Sequence, residues 1–232
     1  MATNCIAMLL QHIESDVAEA WKTATLRGVI AEPASPVSPK SEDDSIESRI
    51  LDAALVQFEK VGVKKTTIED VARQAGVDRV TVYRRVGSRD DLVRAVVSRE
   101  VGAVLAEVAQ IPDRHDNVAD LVADIFVTVL TRWRNHSLVH RMLTIEPDRM
   151  ITKLTTEGAT TFAMSVATAA AALERAVERE LLPETPDLPA RAEVVCRVVH
   201  SLILAPDGGM RLDSDSEMND FARKYLLPII VC

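Results

Sequence analysis

The run TTIEDVARQAGVDRVTVYRRVGSR, from Thr66 to Arg89, leaves the chain few choices, because it encodes two short helices with a tight turn between them. Ile68, Val71, Ala72 and Ala75 recur at helical spacing and make one apolar face. Thr66 stands three residues ahead of Glu69, the capping-box spacing, which predicts a helix start at Thr66. Gly76 falls where a helix end needs a residue tolerant of the left-handed conformation. Asp78 then caps a second helix running to about Val86, with Val82 and Val86 on its inner side. Arg79, Val80, Thr81, Tyr83, Arg84 and Arg85 are left on the outer side. A short cationic helix steadied by another has the size and charge that fit a DNA major groove.

The net charge of −8 speaks against nucleic acid until it is divided by region. Residues 46–100 hold 11 basic and 9 acidic side chains, a net +2, while both flanking regions are acidic. One basic segment in an acidic chain is the distribution expected of a DNA-binding head on a body with another task. The few aromatics, 3%, and eight glycines go with helical spacing throughout and favour an all-α fold. Cys5, Cys196 and Cys232 form neither a CxxC pair nor a disulfide framework. No apolar run is long enough for a membrane span, and the N-terminal IAMLL lacks the basic flank of a signal peptide. A reducing cytoplasm is the expected compartment.

The spacing sets out three regions. Residues 1–45 comprise an amphipathic helix over 4–27, expected to pack on the body or a partner, and a linker, EPASPVSPKSEDDS, too rich in Pro and Ser to join a core. Residues 46–92 form a three-helix head: Ile46 to Val61 is strongly helical, and Phe58, Ile68, Val71, Val82 and Val86 are its expected core. Residues 93–232 form an all-helical body, entered by a long helix from Arg89 to about Gln110 that Ser88 caps. Further helices are predicted over Asn117–Trp133, Ser137–Ile145, Thr156–Leu182, Ala190–Leu204 and Ser216 to Leu227, the last ending near Pro228.

With these elements placed, residues 46 to about 95 resemble the N-terminal domain of the tetracycline-repressor (TetR) family of bacterial transcription regulators. The matching residues are Ala53, Ala54 and Phe58, then Thr66 to Val77, Thr81-Val82-Tyr83, and the Ser88-Arg89-Asp90-Asp91-Leu92 start of the long helix. Two departures stand out: Arg85-Val86 replaces the usual His-Phe pair, and Arg89 replaces the usual Lys. The resemblance implies that Arg79, Val80, Thr81, Tyr83 and Arg85 face DNA, with Thr67 and Arg89 near the backbone; Asp78 and Arg84 complete the set. Physically, Arg79 near the helix start suits a bidentate contact to guanine, Thr81 and Tyr83 suit phosphates or a thymine methyl, and Arg84, Arg85 and Arg89 add charge.

One head covers too little DNA for operator-grade affinity, so a homodimer on a pseudo-palindromic double-stranded operator is expected. The Ala-rich Ala159–Val177 and the Val-rich stretch around Val194–Ile203 suit the dimer contact, or else an internal core. Phe126, Trp133, Met142, Met150, Phe162 and Met164 are the candidate lining of a pocket for a small apolar effector. Enzymatic motifs are missing: there is no Gly-rich phosphate loop, GxSxG or HExxH. His136 and His140 have a legitimate metal spacing without an evident third ligand, so neither metal nor cofactor is expected. The reading is a ligand-responsive regulator, most simply a repressor. The alternative is a helical protein-interaction module whose head no longer binds DNA.

Overall fold

The computed structural model describes residues 42–145, 147–155, 158–206 and 208–231, without the side chains of 42–44, 149, 150, 153 and 154. The amphipathic helix and linker expected over 1–41 lie outside the described residues. The described residues from Ile46 onward are helices and turns belonging to one compact unit.

The head is built from α1 (Glu42–Val61), α2 (Ile68–Ala75), α3 (Arg79–Arg85) and the first half of α4 (Arg89–Val108). Of the expected core, Phe58, Ile68, Val71 and Val82 are buried, while Val86 packs against it half-buried. It also extends further, taking in Val93 and Val96 of α4 and Leu138 and Met142 of a body helix. The helix start was expected one residue early. Thr67 caps α2, and Asp70 closes the reciprocal capping box. Thr66 is buried, and its hydroxyl donates to the Gly62 carbonyl at 2.8 Å. Both registers of the box exist in the sequence; burial of the Thr66 side chain decides between them.

A 3₁₀ turn over Ile111–Arg114 leads into the body. There follow α5 (Val118–Arg134), α6 (Ser137–Ile145), α7 (Pro147–Leu154), α8 (Ala159–Glu178), α9 (Leu188–Leu204), α10 (Asp215–Phe221), a π turn (Ala222–Leu226) and α11 (Leu227–Val231). Helix α7 was not anticipated. Pro147 ends the pattern of α6 but is itself the first residue of a new helix, where its missing N–H costs nothing. Pro228 likewise fails to stop the chain. The π turn before it lets the Leu227 N–H reach the Ala222 carbonyl, and Pro228 falls in the first turn of α11.

The body core gathers Leu121, Phe126 and Leu130 of α5, Leu173 and Ala176 of α8, and Phe221 and Leu226 near the C-terminus. Phe126 stacks on Phe221 with centroids 5.3 Å apart. Helices α8 and α9 pack on each other. Each turns a second stripe outward: Ala163, Met164, Ala167 and Ala171 on α8, and Val194, Arg197, Ser201 and Leu204 on α9.

Candidate nucleic-acid interface and body cavity

Helix α3 is short, and tertiary contacts, not length, hold it. Val82 is fully buried against α1 and α2, while Val80 is 73% exposed and Tyr83 44%. Gly76 adopts φ 65°, the left-handed turn that lets α2 stop and α3 start within a few residues. The Arg49 guanidinium of α1 donates to the Ala75 carbonyl at 2.6 Å, placing a cation at the negative end of α2. Asp78 caps α3, accepting from the Thr81 N–H at 2.7 Å and from the Thr81 hydroxyl at 3.0 Å.

This geometry sorts the residues singled out in the sequence. Arg79, Val80, Tyr83 and Arg84 are exposed together on the outer side of α3. The Arg79 guanidinium donates to the Tyr83 hydroxyl at 3.1 Å and lies 5.3 Å from its ring centroid, so the two side chains stand as one unit. Arg85 is half-buried. Thr67, at the exposed start of α2, has its hydroxyl on Asp70 at 2.6 Å. Thr81 is half-buried and has its hydroxyl on Asp78, which turns its role toward helix capping. Asp78 is likewise a cap in this structure. Arg89, expected near the DNA backbone, points inward: its Nε donates to the Thr66 carbonyl at 2.9 Å and its Nη2 to the Val63 carbonyl. The planar fork of Arg, unlike a Lys ammonium, reaches both carbonyls at once and fixes the turn before α2. Sequence reasoning passed over Lys64 and Lys65 in that same turn, both exposed and just ahead of Thr66 and the cap Thr67.

The caps also make the head acid-sensitive. The Asp70, Asp78 and Asp91 carboxyls are all held below the ordinary 3.8, by the Thr67 hydroxyl, the Thr81 backbone N–H and the Ser88 hydroxyl respectively. A carboxyl depressed by folding contributes stability above its unfolded value and loses it as pH falls through its folded value. The thermal midpoint of the head should therefore fall as pH drops below 3.8. Asp78→Asn, which still caps, should flatten part of that fall with little change at neutral pH. Melts followed by circular dichroism at both pH values check this, and an unchanged acid response in the variant counts against it.

In the body, a cavity of about 280 Å³ lies among α4, α5, α6, α8 and α9. Phe126, Trp133, Met142 and Phe162, singled out in the sequence, are on its wall. Met164 does not: it is 42% exposed on the outer stripe of α8. Two residues beyond Phe162 lie on the opposite side of a helix, so both could not face inward. The Met150 side chain lies outside the described residues. Phe162 is flanked by His200, ring centroids 5.5 Å apart, and by the Arg197 guanidinium at 5.1 Å. Cys196 is on the cavity wall, its thiol pushed up to about 11 by burial and then by the Glu193 charge. It therefore stays a thiol and a weak nucleophile. Leu138 and Met142 of α6 belong both to the cavity wall and to the head core. His136 bonds Glu100, and no group of three His, Cys, Asp or Glu side chains converges among the described residues. Among the same residues no helix is long and apolar enough to cross a membrane.

Residues 50–96 match the family model of bacterial regulatory proteins, tetR family. An HTH-type transcriptional regulator of Mycobacterium bovis, itself uncharacterized, is 35% identical over 102 residues, 44% of this chain and 52% of that protein. The uncharacterized HTH-type regulator YfiR of Bacillus subtilis is 29% identical over 119 residues, 44% of this chain and 58% of that protein. The chain thus spans about half the length of the curated relatives it matches. Among solved structures, the TetR family repressor AlkX from a Dietzia strain, implicated in biodegradation of n-alkanes, superposes with a TM-score of 0.62 at 19% identity, covering 84% of this chain and 97% of that one. SmeT, the repressor of a Stenotrophomonas maltophilia multidrug efflux pump, gives 0.53 at 22%, covering 78% and 88%. At these identities the structural likeness is one of fold.

Proposed function

We propose, from this chain's membership of the tetR family of bacterial regulatory proteins through its residues 50–96, that it is a sequence-specific DNA-binding transcription regulator of the cytoplasm, acting as a homodimeric repressor released by a small apolar effector. The observation that carries the reading is the outer side of α3. An apolar Val80, 73% exposed, sits between cationic neighbours on a helix whose inner side is sealed by Val82. A major groove offers such a helix thymine methyls for Val80, guanine edges for Arg79 and phosphates for Tyr83 and Arg84. Lys64 and Lys65 extend the cationic surface next to Thr67. Arg85 is half-buried, Asp78 and Thr81 cap the start of α3, and Arg89 holds the turn before α2.

The cavity is the effector site in this reading. Its α6 wall is shared with the head core, so an occupant that prefers one placement of Leu138 and Met142 biases the spacing of the heads. A ligand bound equally in both placements would shift nothing.

Electrophoretic shifts with the DNA upstream of the protein's own gene test the reading. Arg79→Ala should lose about 1–3 kcal/mol on the matched duplex and much less on a scrambled one. Arg89→Ala should lower the thermal midpoint and weaken both duplexes through the turn it holds. Binding that is independent of salt, or an equal loss on both duplexes for Arg79→Ala, would argue against base reading by α3.

A further inference from the structure

The cavity wall is apolar over most of its extent, and most of its polar groups answer to one another. Arg132 pairs with Glu107 at 2.8 Å, and the Ser165 hydroxyl donates to the Thr161 carbonyl at 3.0 Å. Glu100 is engaged at both oxygens, Oε1 by Arg99 at 3.3 Å and Oε2 by His136 Nε2 at 3.1 Å. His136 is only half satisfied. Its Nδ1 is buried and has no hydrogen-bond partner among the described residues, on a side chain that lines the cavity. An orphaned buried ring nitrogen is unfavourable, and a ligand that completes it recovers what folding left unmade.

The partner of Nε2 decides what Nδ1 can take. Carboxylate oxygens only accept, so the hydrogen sits on Nε2, and the neutral ring then offers Nδ1 as a bare acceptor. We propose that the cavity takes an apolar molecule bearing a single hydroxyl, aliphatic or phenolic, whose O–H donates to His136 Nδ1. This rests on the reading of the cavity as the effector site.

The same contact has a route to the head. His136 sits at the junction of α5 and α6, and Glu100 is next in the chain to Arg99. The Arg99 guanidinium donates to Asp52 Oδ1 at 2.8 Å and to the Ser48 carbonyl at 3.4 Å, both on α1. A hydroxyl on His136 is therefore joined to the DNA-binding head by a continuous polar chain, beside the apolar link through Leu138 and Met142.

Trp133 lines the cavity, so its fluorescence reports occupancy once the other tryptophan is removed by Trp21→Phe. Three probes are titrated into the full chain: 1-decanol, 1-methoxydecane, which cannot donate, and decanoate. Decanol should bind about tenfold tighter than the ether, the fold-change of one neutral hydrogen bond. In His136→Phe the ratio should shrink to about twofold or less while the ether still binds. Equal binding of decanol and ether, tightest binding of decanoate, an unchanged ratio in His136→Phe, or no binding of any probe each overturns the proposal. Should the variant fail to fold, the probe ratio on the unaltered His136 decides. Decanol binding that depends on His136 but leaves operator affinity unchanged supports the ligand class and overturns the effector reading. Intact operator binding with no probe bound overturns the ligand class and leaves the DNA-binding reading standing.

Discussion

Phe58→Ala should destabilise the protein by about 3–5 kcal/mol, against a total of roughly 5–15 for a folded domain. Phe58 is 1% exposed and is the largest side chain of the head core, enclosed by α1, α2 and the start of α4. Truncation removes its apolar surface from burial and leaves a cavity that short helices cannot close, because Gly76, Asp78 and Ser88 fix their ends. In urea this corresponds to a fall in midpoint of roughly 1–2 M. The informative comparison is Val80→Ala on the same head. Val80 is 73% exposed, so its truncation should leave the midpoint within about 0.5 kcal/mol while weakening DNA binding. Urea titrations paired with electrophoretic shifts separate the two. Equal destabilisation by both variants, or none by Phe58→Ala, would contradict the placing of Phe58 inside the head core and of Val80 outside it.

The head was the most legible part of the sequence because its signals are local. Periodicity placed Phe58, Ile68, Val71 and Val82 in one core, and Asp78, Ser88 and Gly76 marked helix ends by chemistry that acts within three or four residues. Even there the register of α2 slipped by one, since Thr66-Glu69 and Thr67-Asp70 both spell a capping box. The long-range polar contacts could not be read. Arg49 on the Ala75 carbonyl, Arg89 on the Val63 and Thr66 carbonyls, and Arg99 on Asp52 each join residues brought together only by helix packing. An arginine in a basic segment looks the same in sequence whether it faces a phosphate or a carbonyl of its own chain. Arg89 was placed near the DNA backbone by the family resemblance, whereas its guanidinium bonds carbonyls of its own chain.

The candidate pocket shows the same division. Phe126, Trp133, Met142 and Phe162 were identified as large apolar side chains on body helices, and they do line the cavity. Met164 met the same criterion, yet α8 has two apolar sides, one toward the body and one outward, and composition does not tell them apart. Val166, Ala170 and Leu173 are buried, while Ala163, Met164 and Ala167 are exposed. His136 drew attention as a metal candidate with His140. Its bond to Glu100 and its unmet Nδ1 arise from the approach of α4 to the α5–α6 junction, which no spacing rule encodes.

The two outward stripes carry the second large effect. Val194 is 47% exposed and Leu204 39% on α9, beside the small-residue stripe of α8. Alanines let two helix pairs approach to about 8–10 Å, so a second copy laid across α8 and α9 would form a four-helix contact. Val194→Glu introduces like charges facing each other across the two-fold axis of such a contact, and desolvates both. As an exposed residue of the single chain, Val194 should tolerate the change within about 0.5 kcal/mol. The variant should therefore keep its helical spectrum, sediment as a monomer at micromolar concentration and lose operator affinity on the order of 10³-fold, approaching non-specific binding. Val231→Glu, at a position 44% exposed on α11, is the control and should leave both properties unchanged. A Val194→Glu protein that remains dimeric would move the interface off this face. A monomer that still binds the operator at full strength would show that one head suffices, removing the need for a paired, spaced arrangement on DNA.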